Sequence, residues 1–195
     1  MTGPAIGISL TETQWLTTLR AVLGAMPLQA QIQANGQFYP IEILRAQTNR
    51  VPQPAGPDFV MMTPGSLARL ETNTTTFDSP TITGTRSDTQ PQRVTVQVDV
   101  YGPNSAANAT IITTLFRSSW ATDLFQQLVT GDAVQPLYTS EPRQLPYLNG
   151  EQQIEERYSI DLELQVNPVT TVAQQFMQEI AISGFYEIDA AFPPQ

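Results

Sequence analysis

The chain contains no histidine, no cysteine and no lysine, and its nine basic residues are all arginine. The absence of imidazole and thiol groups removes the commonest general base, the thiolate nucleophile and the ordinary ligands of a zinc site. It also excludes any disulfide. Enzymatic chemistry in this chain would therefore depend on carboxylates, hydroxyl groups and arginine alone.

Basic charge is scarce relative to acidic charge, since eighteen acidic residues give a formal net charge of −9 and a pI near 4.3. Nonspecific binding to a phosphate backbone requires lysine and arginine to release bound counterions. The charge balance therefore disfavours a protein that grips nucleic acid, although it is compatible with DNA that passes without being held. The simpler alternative is that the acidity only keeps the protein in solution.

Long apolar runs are also missing, because no stretch approaches the roughly 20 apolar residues of a membrane span. The first ten residues, MTGPAIGISL, lack the basic start of a signal peptide. We expect a protein that is made in the cytoplasm and has no membrane association. A length of 195 residues with 41% hydrophobic content predicts a single well-buried core.

The clearest structural signal lies in residues 93–118, where a strand pattern changes into a helix pattern. Alternating apolar positions predict a half-buried strand, followed by a Gly-Pro break and a helix capped by Asn104 or Ser105. Residues 154–166 show a second long alternation of apolar and polar side chains, and we expect the strands over 92–101 and 152–166 to be the longest in the sheet. Two such strands around a helix predict an α+β fold, in which an antiparallel or mixed sheet carries helices on one face. The side chains expected to face those helices are Val94, Val96, Val98, Ile160, Leu162 and Leu164.

Shorter signals predict the remaining elements. Thr11 and Gln14 are spaced as a capping box for a helix over residues 11–26, and Ser118-Ser119 should break the helix that begins near Ser105. Residues 37–44 should be the second strand of a hairpin around Asn35-Gly36, and residues 59–63, 67–77 and 133–139 should be strands. Residues 169–178 are expected to contain a short helical turn.

The only dense acidic cluster contains Glu155, Glu156, Asp161 and Glu163. A glycosidase would need two carboxylates facing each other across a cleft. On a strand, most of this cluster instead shares a polar face with Arg157, so we favour a salt-bridged sheet surface. Antiparallel pairing with Arg93 opposite Glu163 would also place Asp99 opposite Arg157. Glu156 falls at a position where the alternation predicts an apolar, inward-facing side chain. We favour a location of its carboxylate at the edge of the core over a bulge in the strand.

No catalytic, cofactor-binding or metal-binding residue is predicted. Ser66 and Ser105 have no histidine to activate them, and no glycine-rich phosphate loop is present. The arginines are scattered along the chain, and only Arg45 and Arg50 are close in sequence, so they form no nucleic-acid patch.

Four segments resemble a known protein family in their actual residues as well as in their periodicity. These segments are NRVPQPAGPDFVMMTP (49–64), VDVYGPNSAANA (98–109), FRS (116–118) and PLYTSEPRQLPYLNGEQQIEERYSIDLELQVNP (136–168). In this order they resemble the bacteriophage neck or tail terminator proteins, the ring subunits that close a phage tail at its head-proximal end.

The resemblance implies a structural virion protein of the phage neck or tail, assembled in the host cytoplasm, without enzymatic activity or a cofactor. It implies a homo-oligomeric ring, expected to be a hexamer, that contacts the tail tube, candidate sheath proteins and the head-side connector or adaptor. Genomic DNA would pass through the lumen without specific binding. The alternatives are another virion ring component, such as a head-completion adaptor or baseplate protein, and, least favoured, a carboxylate-dependent enzyme.

The resemblance and the loop character of two proline-bearing segments together suggest which residues contact neighbouring subunits. We expect one domain over residues 1–178, with 72–92 as an exposed hairpin or loop, and a C-terminal arm over 179–195. The arm should pack on a neighbouring chain, and the alternative is a terminal strand that completes its own sheet. The predicted interface residues are Asn49, Arg50, Pro52 and Pro54 in the first loop, Glu141, Arg143, Tyr147, Asn149 and Gly150 in the second, and Ile182, Phe185 and Tyr186 in the arm.

Overall fold

The computed structural model describes residues 7–30, 38–47, 54–78, 83–129, 133–148 and 154–175. Within these ranges the chain forms three helices and twelve strands. In chain order they are β1 (Gly7–Ile8), α1 (Glu12–Ala25), β2 (Glu42–Arg45), β3 (Phe59–Arg69), β4 (Thr74–Asp78), β5 (Thr83–Thr89), β6 (Gln92–Tyr101), α2 (Ser105–Phe116), α3 (Ser119–Leu128), β7 (Val134–Thr139), β8 (Arg143–Gln144), β9 (Tyr147–Leu148), β10 (Ile154–Glu155), β11 (Arg157–Val166) and β12 (Val169–Gln175).

The main sheet has the order β2-β3-β6-β11-β7, and β8 also pairs with β11. Strands β2 and β3 are parallel and the other pairs are antiparallel. The three described helices contact one face of this sheet, and the six side chains predicted to face them are all buried. The α+β prediction is therefore confirmed. We call the opposite face, which none of the described helices covers, the open face.

Strand β3 is the longest strand, with 11 residues against 10 in β6 and 10 in β11, so the prediction that β6 and β11 are longest is wrong. Strand β3 continues past Pro64 because a shift in register between Pro64 and Leu67 accommodates the proline. A Cβ atom on Gly65 would lie 2.8 Å from the carbonyl oxygen of Thr95, so the close approach of the two strands requires glycine here.

The helix boundaries follow the local signals in the sequence. The side chain of Gln14 accepts a hydrogen bond from the backbone N–H of Thr11 at 2.7 Å, completing the predicted capping box of α1. The break between α2 and α3 occurs at Ser118, whose hydroxyl donates to the carbonyl of Leu115 at 2.7 Å. The rings of Phe116 and Phe125 then pack edge to face, with centroids 6.2 Å apart, and hold α3 against α2.

A second sheet, with the order β1-β12-β5-β4, extends from one end of the main sheet. Strand β5 leads into β6 through Pro91, and β11 leads into β12 through Pro168. The two prolines lie side by side in this long ribbon, because the N–H of Gln90 donates to the carbonyl of Pro168 at 3.1 Å. Neither proline can donate a ladder hydrogen bond, so the ribbon divides into two sheets at this level.

Two local predictions are wrong. Residues 169–175 form strand β12 instead of a helical turn, because pairing with β5 provides hydrogen bonds that the local sequence does not indicate. The strand expected over 67–77 is divided, with β3 ending at Arg69 and β4 beginning at Thr74. The hairpin expected around Asn35-Gly36 stays a prediction, because its turn lies outside the described residues. Strand β2, which overlaps the expected second strand of that hairpin, pairs in parallel with β3.

The register of the two long strands differs from the prediction by two residues. Asp99 lies opposite Ser159, Arg157 lies opposite Tyr101, and Glu163 lies opposite Thr95. A shift of two leaves every side chain on its expected face. The side chain of Glu156 is exposed, at a break in the strand between β10 and β11.

Candidate subunit interface

The structure brings the two proline-bearing loops to the same end of the main sheet. The first loop leads into β3 at Phe59, and Phe59 lies opposite Tyr101 on β6. Tyr101 in turn lies opposite Arg157, the first residue of β11, which follows the second loop. Because these three residues are neighbours across the sheet, the loops that precede Phe59 and Arg157 emerge together.

A cluster on the open face stabilises this end of the sheet. The rings of Phe59 and Tyr101 stack with centroids 4.5 Å apart, and the Arg157 guanidinium lies 5.6 Å from the centre of the Tyr101 ring. An Arg157 nitrogen is 2.9 Å from Oδ2 of Asp99, and Gln97 donates to the same oxygen at 2.9 Å. Burial of the phenol, and to a lesser degree the nearby carboxylates of Asp99 and Glu155, raise the pKa of Tyr101, although Arg157 opposes the shift.

Asp58 connects the first loop to the turn after β6. Its two carboxylate oxygens accept hydrogen bonds from the backbone N–H of Asn104 at 2.9 Å and from the Asn104 side chain at 3.0 Å. The turn includes Gly102 at φ +100°, where a Cβ atom would lie 2.5 Å from Asp58 Oδ1. Asp58 is buried. This role cannot be read from the sequence, because an aspartate beside a proline in a loop gives no sign of its distant partner.

The second loop is anchored to β11 at several points. Arg143 forms an ion pair with Asp161 at 2.6 Å, the hydroxyl of Ser140 accepts from the N–H of Asp161 at 2.9 Å, and the N–H of Leu145 donates to the carbonyl of Arg157 at 2.8 Å. Glu141 is highly exposed and lies 3.9 Å from Arg117. These contacts place a stable base beneath strands β9 and β10.

Strands β9 and β10 pair antiparallel, with Leu148 opposite Ile154. The Leu148 side chain is 67% exposed and that of Ile154 is 76% exposed. Leu145, just before β9, is 46% exposed. We call this unit, made of β9, β10 and Leu145, the apolar hairpin. Apolar side chains grouped at an exposed, anchored site are typical of a surface that another protein covers.

Leu145, Leu148 and Ile154 were not among the predicted contacts, although Tyr147 of β9 was. The sequence gives only a partial signal for them, because the Asn149-Gly150 dipeptide favours a hairpin but Ile154 lies among polar and acidic residues.

The predicted contact residues divide into described and undescribed sets. Pro54 is partly buried in the first loop, and the backbone of Tyr147 belongs to β9. Glu141 and Arg143 lie at the base of the apolar hairpin, as described above. The remaining predicted contacts lie outside the described residues and are Asn49, Arg50, Pro52, Asn149, Gly150, Ile182, Phe185 and Tyr186.

Three acidic residues of the open face, Asp99, Asp161 and Glu163, form ion pairs with arginine, as expected for a salt-bridged sheet surface. Besides the pairs of Asp99 and Asp161, Glu163 lies 3.6 Å from Arg93. Among the described residues there is no group of side chains that could hold a metal ion. Over the same part of the chain, no helix is long and apolar enough to cross a membrane.

A groove of about 600 Å³ lies at the opposite end of the main sheet from the two loops. It is lined by apolar residues, including Leu10, Val129 and Val169, and by uncharged polar residues. None of the described residues that line the groove is acidic, so the described lining provides no carboxylate for catalysis.

Residues 15–188 match a family profile described as phage neck terminator protein. A comparison with curated proteins gave no match. The matched span includes the main sheet, both loops and strands β4, β5 and β12 of the second sheet, which is most of the chain. The chain therefore belongs to the phage neck terminator protein family, and it is a structural protein of the phage neck.

Proposed function

We propose that this neck protein assembles into a closed ring, expected to be a hexamer, that caps the tail tube and joins it to the head-side connector. The observation that carries this proposal is the apolar hairpin, which presents Leu145, Leu148 and Ile154 to solvent from an anchored base. A ring of identical subunits needs a contact in which one surface of a subunit meets a different surface of the next. The apolar hairpin supplies one of those two surfaces.

The chemistry of the apolar hairpin favours a protein partner. Three apolar side chains buried at roughly 1.5 to 3 kcal/mol each would contribute about 4 to 9 kcal/mol per contact before ordering costs. The ordering cost at the base is low, because Arg143 and Ser140 already hold this loop on β11. A preorganised apolar surface of this kind suits repeated identical contacts around a ring.

The charge distribution supports a lumen through which DNA passes without specific binding. At least six of the eight arginines that the structure describes form ion pairs with acidic residues, namely Arg45, Arg86, Arg93, Arg117, Arg143 and Arg157. An arginine that is already paired with a carboxylate contributes little to phosphate binding, and the net charge is −9. DNA would therefore move past the ring without being retained by it.

The same observations weigh against enzymatic activity. Three acids of the open face are paired with arginine, and none of the described residues that line the groove at the other end of the sheet is acidic. A carboxylate pair facing across a cleft, as a glycosidase would need, is not formed by the described residues. We propose that the ring acts by assembly alone, with no substrate turned over.

A double substitution in the apolar hairpin tests the proposal. Leu148→Asp with Ile154→Asp places two charges where the ring contact should be dry, so we expect a folded monomer in place of a ring. Native mass spectrometry would report the oligomer, and circular dichroism with thermal melting would report the fold.

Leu137→Asp is the matched control, because Leu137 is also exposed but lies on β7, away from the hairpin. This variant should assemble normally. A ring of unchanged size in the double variant would remove the apolar hairpin from the interface, and a native chain that remains monomeric at all concentrations would overturn the ring itself.

A further inference from the structure

The second sheet ends in a strand whose outer edge is open among the described residues. Strand β4 pairs with β5 on one side, and no described strand pairs with its other side. All five residues of β4, Thr74–Asp78, have exposed side chains. Such an edge presents a row of backbone donors and acceptors that can accept another strand.

Strand β4 has few of the features that usually protect an edge from pairing. Its sequence, TTTFD, contains no proline and no basic residue, its one charge is Asp78 at the end of the strand, and its pairing with β5 has no bulge. Strand β7, at the edge of the main sheet, contains Pro136, and a register shift leaves Leu137 unpaired with β11. The contrast indicates that the edge of β7 is protected, whereas the edge of β4 suits the addition of a strand.

The last described strand leads the chain toward this region. Strand β12 ends at Gln175, opposite Thr83, at the end of the second sheet farthest from the main sheet. Twenty residues follow Gln175, and in extended form they could span about 66 Å. The segment is therefore long enough to reach an adjacent subunit.

The direction of β12 favours a neighbouring subunit over the same chain. Strands β12 and β4 are both antiparallel to β5, so they run in the same direction, and β4 ends at Asp78 close to the point where β12 ends. A chain that continues beyond Gln175 moves away from its own β4 and from its own core. It could pair with its own β4 only after reversing direction.

The sequence of this segment is typical of a strand. Six of the fourteen residues in 179–192 are isoleucine or aromatic, and Ile180 with Ile182 and Tyr186 with Ile188 are spaced by two. The apolar side chains of the segment would need a partner surface in water.

We propose that residues 179–192 of one subunit add as a strand to the outer edge of β4 on the next subunit. This inference rests on the proposed ring and identifies a second contact in it, formed mainly by backbone hydrogen bonds. Each subunit would donate one segment and receive one, which is the head-to-tail arrangement that a closed ring requires.

Cysteine crosslinking tests this pairing on a clean background, because the chain has no cysteine of its own. Thr76→Cys on β4 is combined in turn with Ile180→Cys, Ile182→Cys, Tyr186→Cys or Ile188→Cys, and a short bismaleimide is added to assembled protein. We expect at least one combination to give a ladder of covalent multimers on a denaturing gel. Thr110→Cys, on the exposed side of α2, replaces Thr76→Cys as the control and should give no ladder.

The other outcomes separate this inference from the ring proposal. A crosslink confined to single chains would show that the segment pairs with its own sheet, which overturns the inference. Intact rings without any crosslink would also overturn it and would leave the ring proposal standing, whereas the absence of rings in the native protein would overturn both.

Deletion of residues 183–195 provides an independent measurement. We expect the shortened chain to keep its melting temperature and to lose at least tenfold in apparent assembly affinity, measured by sedimentation. A large fall in melting temperature would show instead that the segment belongs to the core of its own subunit.

Discussion

Arg157 and Asp99 form an ion pair at 2.9 Å although they are not directly opposite each other on β11 and β6. Arg157 lies opposite Tyr101, so its guanidinium reaches diagonally across the sheet to Asp99 while it also lies over the Tyr101 ring. The Asp99 side chain is only 6% exposed. This pair holds together the sheet end from which both candidate interface loops emerge.

Asp99→Asn should destabilise the protein by about 1 to 3 kcal/mol, because it leaves the Arg157 guanidinium without its buried carboxylate. Chemical denaturation followed by circular dichroism would measure the change. Glu163→Gln is the matched control, since the Arg93–Glu163 pair is longer, at 3.6 Å, and more exposed. Its expected cost is about 0 to 1 kcal/mol, and equal costs for the two variants would contradict our ranking of the pairs.

Gly102→Ala should destabilise the turn after β6 by about 1 to 3 kcal/mol or more. The residue has φ +100°, and the new Cβ would lie 2.5 Å from both Asp58 Oδ1 and the carbonyl of Pro57. Gly7→Ala is the control, because no atom lies within 4 Å of its ideal Cβ, and its effect should stay within about 0.5 kcal/mol. Thermal melting of both variants compares them, and a normal transition for Gly102→Ala would show that the turn relaxes.

Val98→Asp should prevent accumulation of folded, soluble protein. Val98 is fully buried between β6 and the helices, so the substitution places an unpaired charge in the core. Gln165→Asp puts the same charge on the open face directly opposite Arg93 and should remain soluble. Expression and size-exclusion chromatography measure both outcomes, and a folded Val98→Asp variant would contradict the assigned packing of β6.

Thr75→Val should raise the pKa of Asp88 toward its ordinary value of 3.8. The Thr75 hydroxyl donates to Asp88 Oδ1 at 2.6 Å, and Arg86 donates to the same oxygen at 3.0 Å. These hydrogen bonds, with that from Thr75 the larger cause, lower the carboxyl pKa in the folded protein. Because the folded pKa is depressed, the stabilisation is present above the unfolded pKa and is lost as the pH falls through the folded value.

NMR titration of the Asp88 carboxyl carbon would measure this shift. Thr76→Val, one position along β4, is the control, because the Thr76 hydroxyl donates to the carbonyl of Ser87 and makes no bond to Asp88. An unchanged Asp88 pKa in Thr75→Val would show that Arg86 alone lowers it.

Several features of the fold could be predicted because they depend on neighbouring residues. The capping box of Thr11 and Gln14 closes within a single helical turn, and the break at Ser118 uses a hydrogen bond to Leu115, three residues away. The buried faces of β6 and β11 follow from strict alternation of apolar side chains.

The pairing register of β6 and β11 could be predicted only up to a shift by an even number of residues. Burial determines which face each side chain occupies, and a shift of two residues preserves every face. Arg93 reaches Glu163, and Arg157 reaches Asp99, in the observed register because long side chains tolerate a diagonal contact.

The candidate interface also has features that could be predicted from the sequence and features that could not. Its loops could be recognised from their prolines, but Asp58 could not, because its partner Asn104 is remote in the chain. Strand β12 was also predicted wrongly, since its partner β5 lies some 80 positions away. The amino-acid sequence alone excluded any reaction or metal site that needs histidine, cysteine or lysine, because that follows from composition. It also determined which faces of β6 and β11 are buried and where the helices begin and end, because these features depend on short-range geometry. Folding in three dimensions brought the two loops to one end of the sheet and left the edge of β4 open, because hydrogen bonding between distant strands has no counterpart in any local pattern.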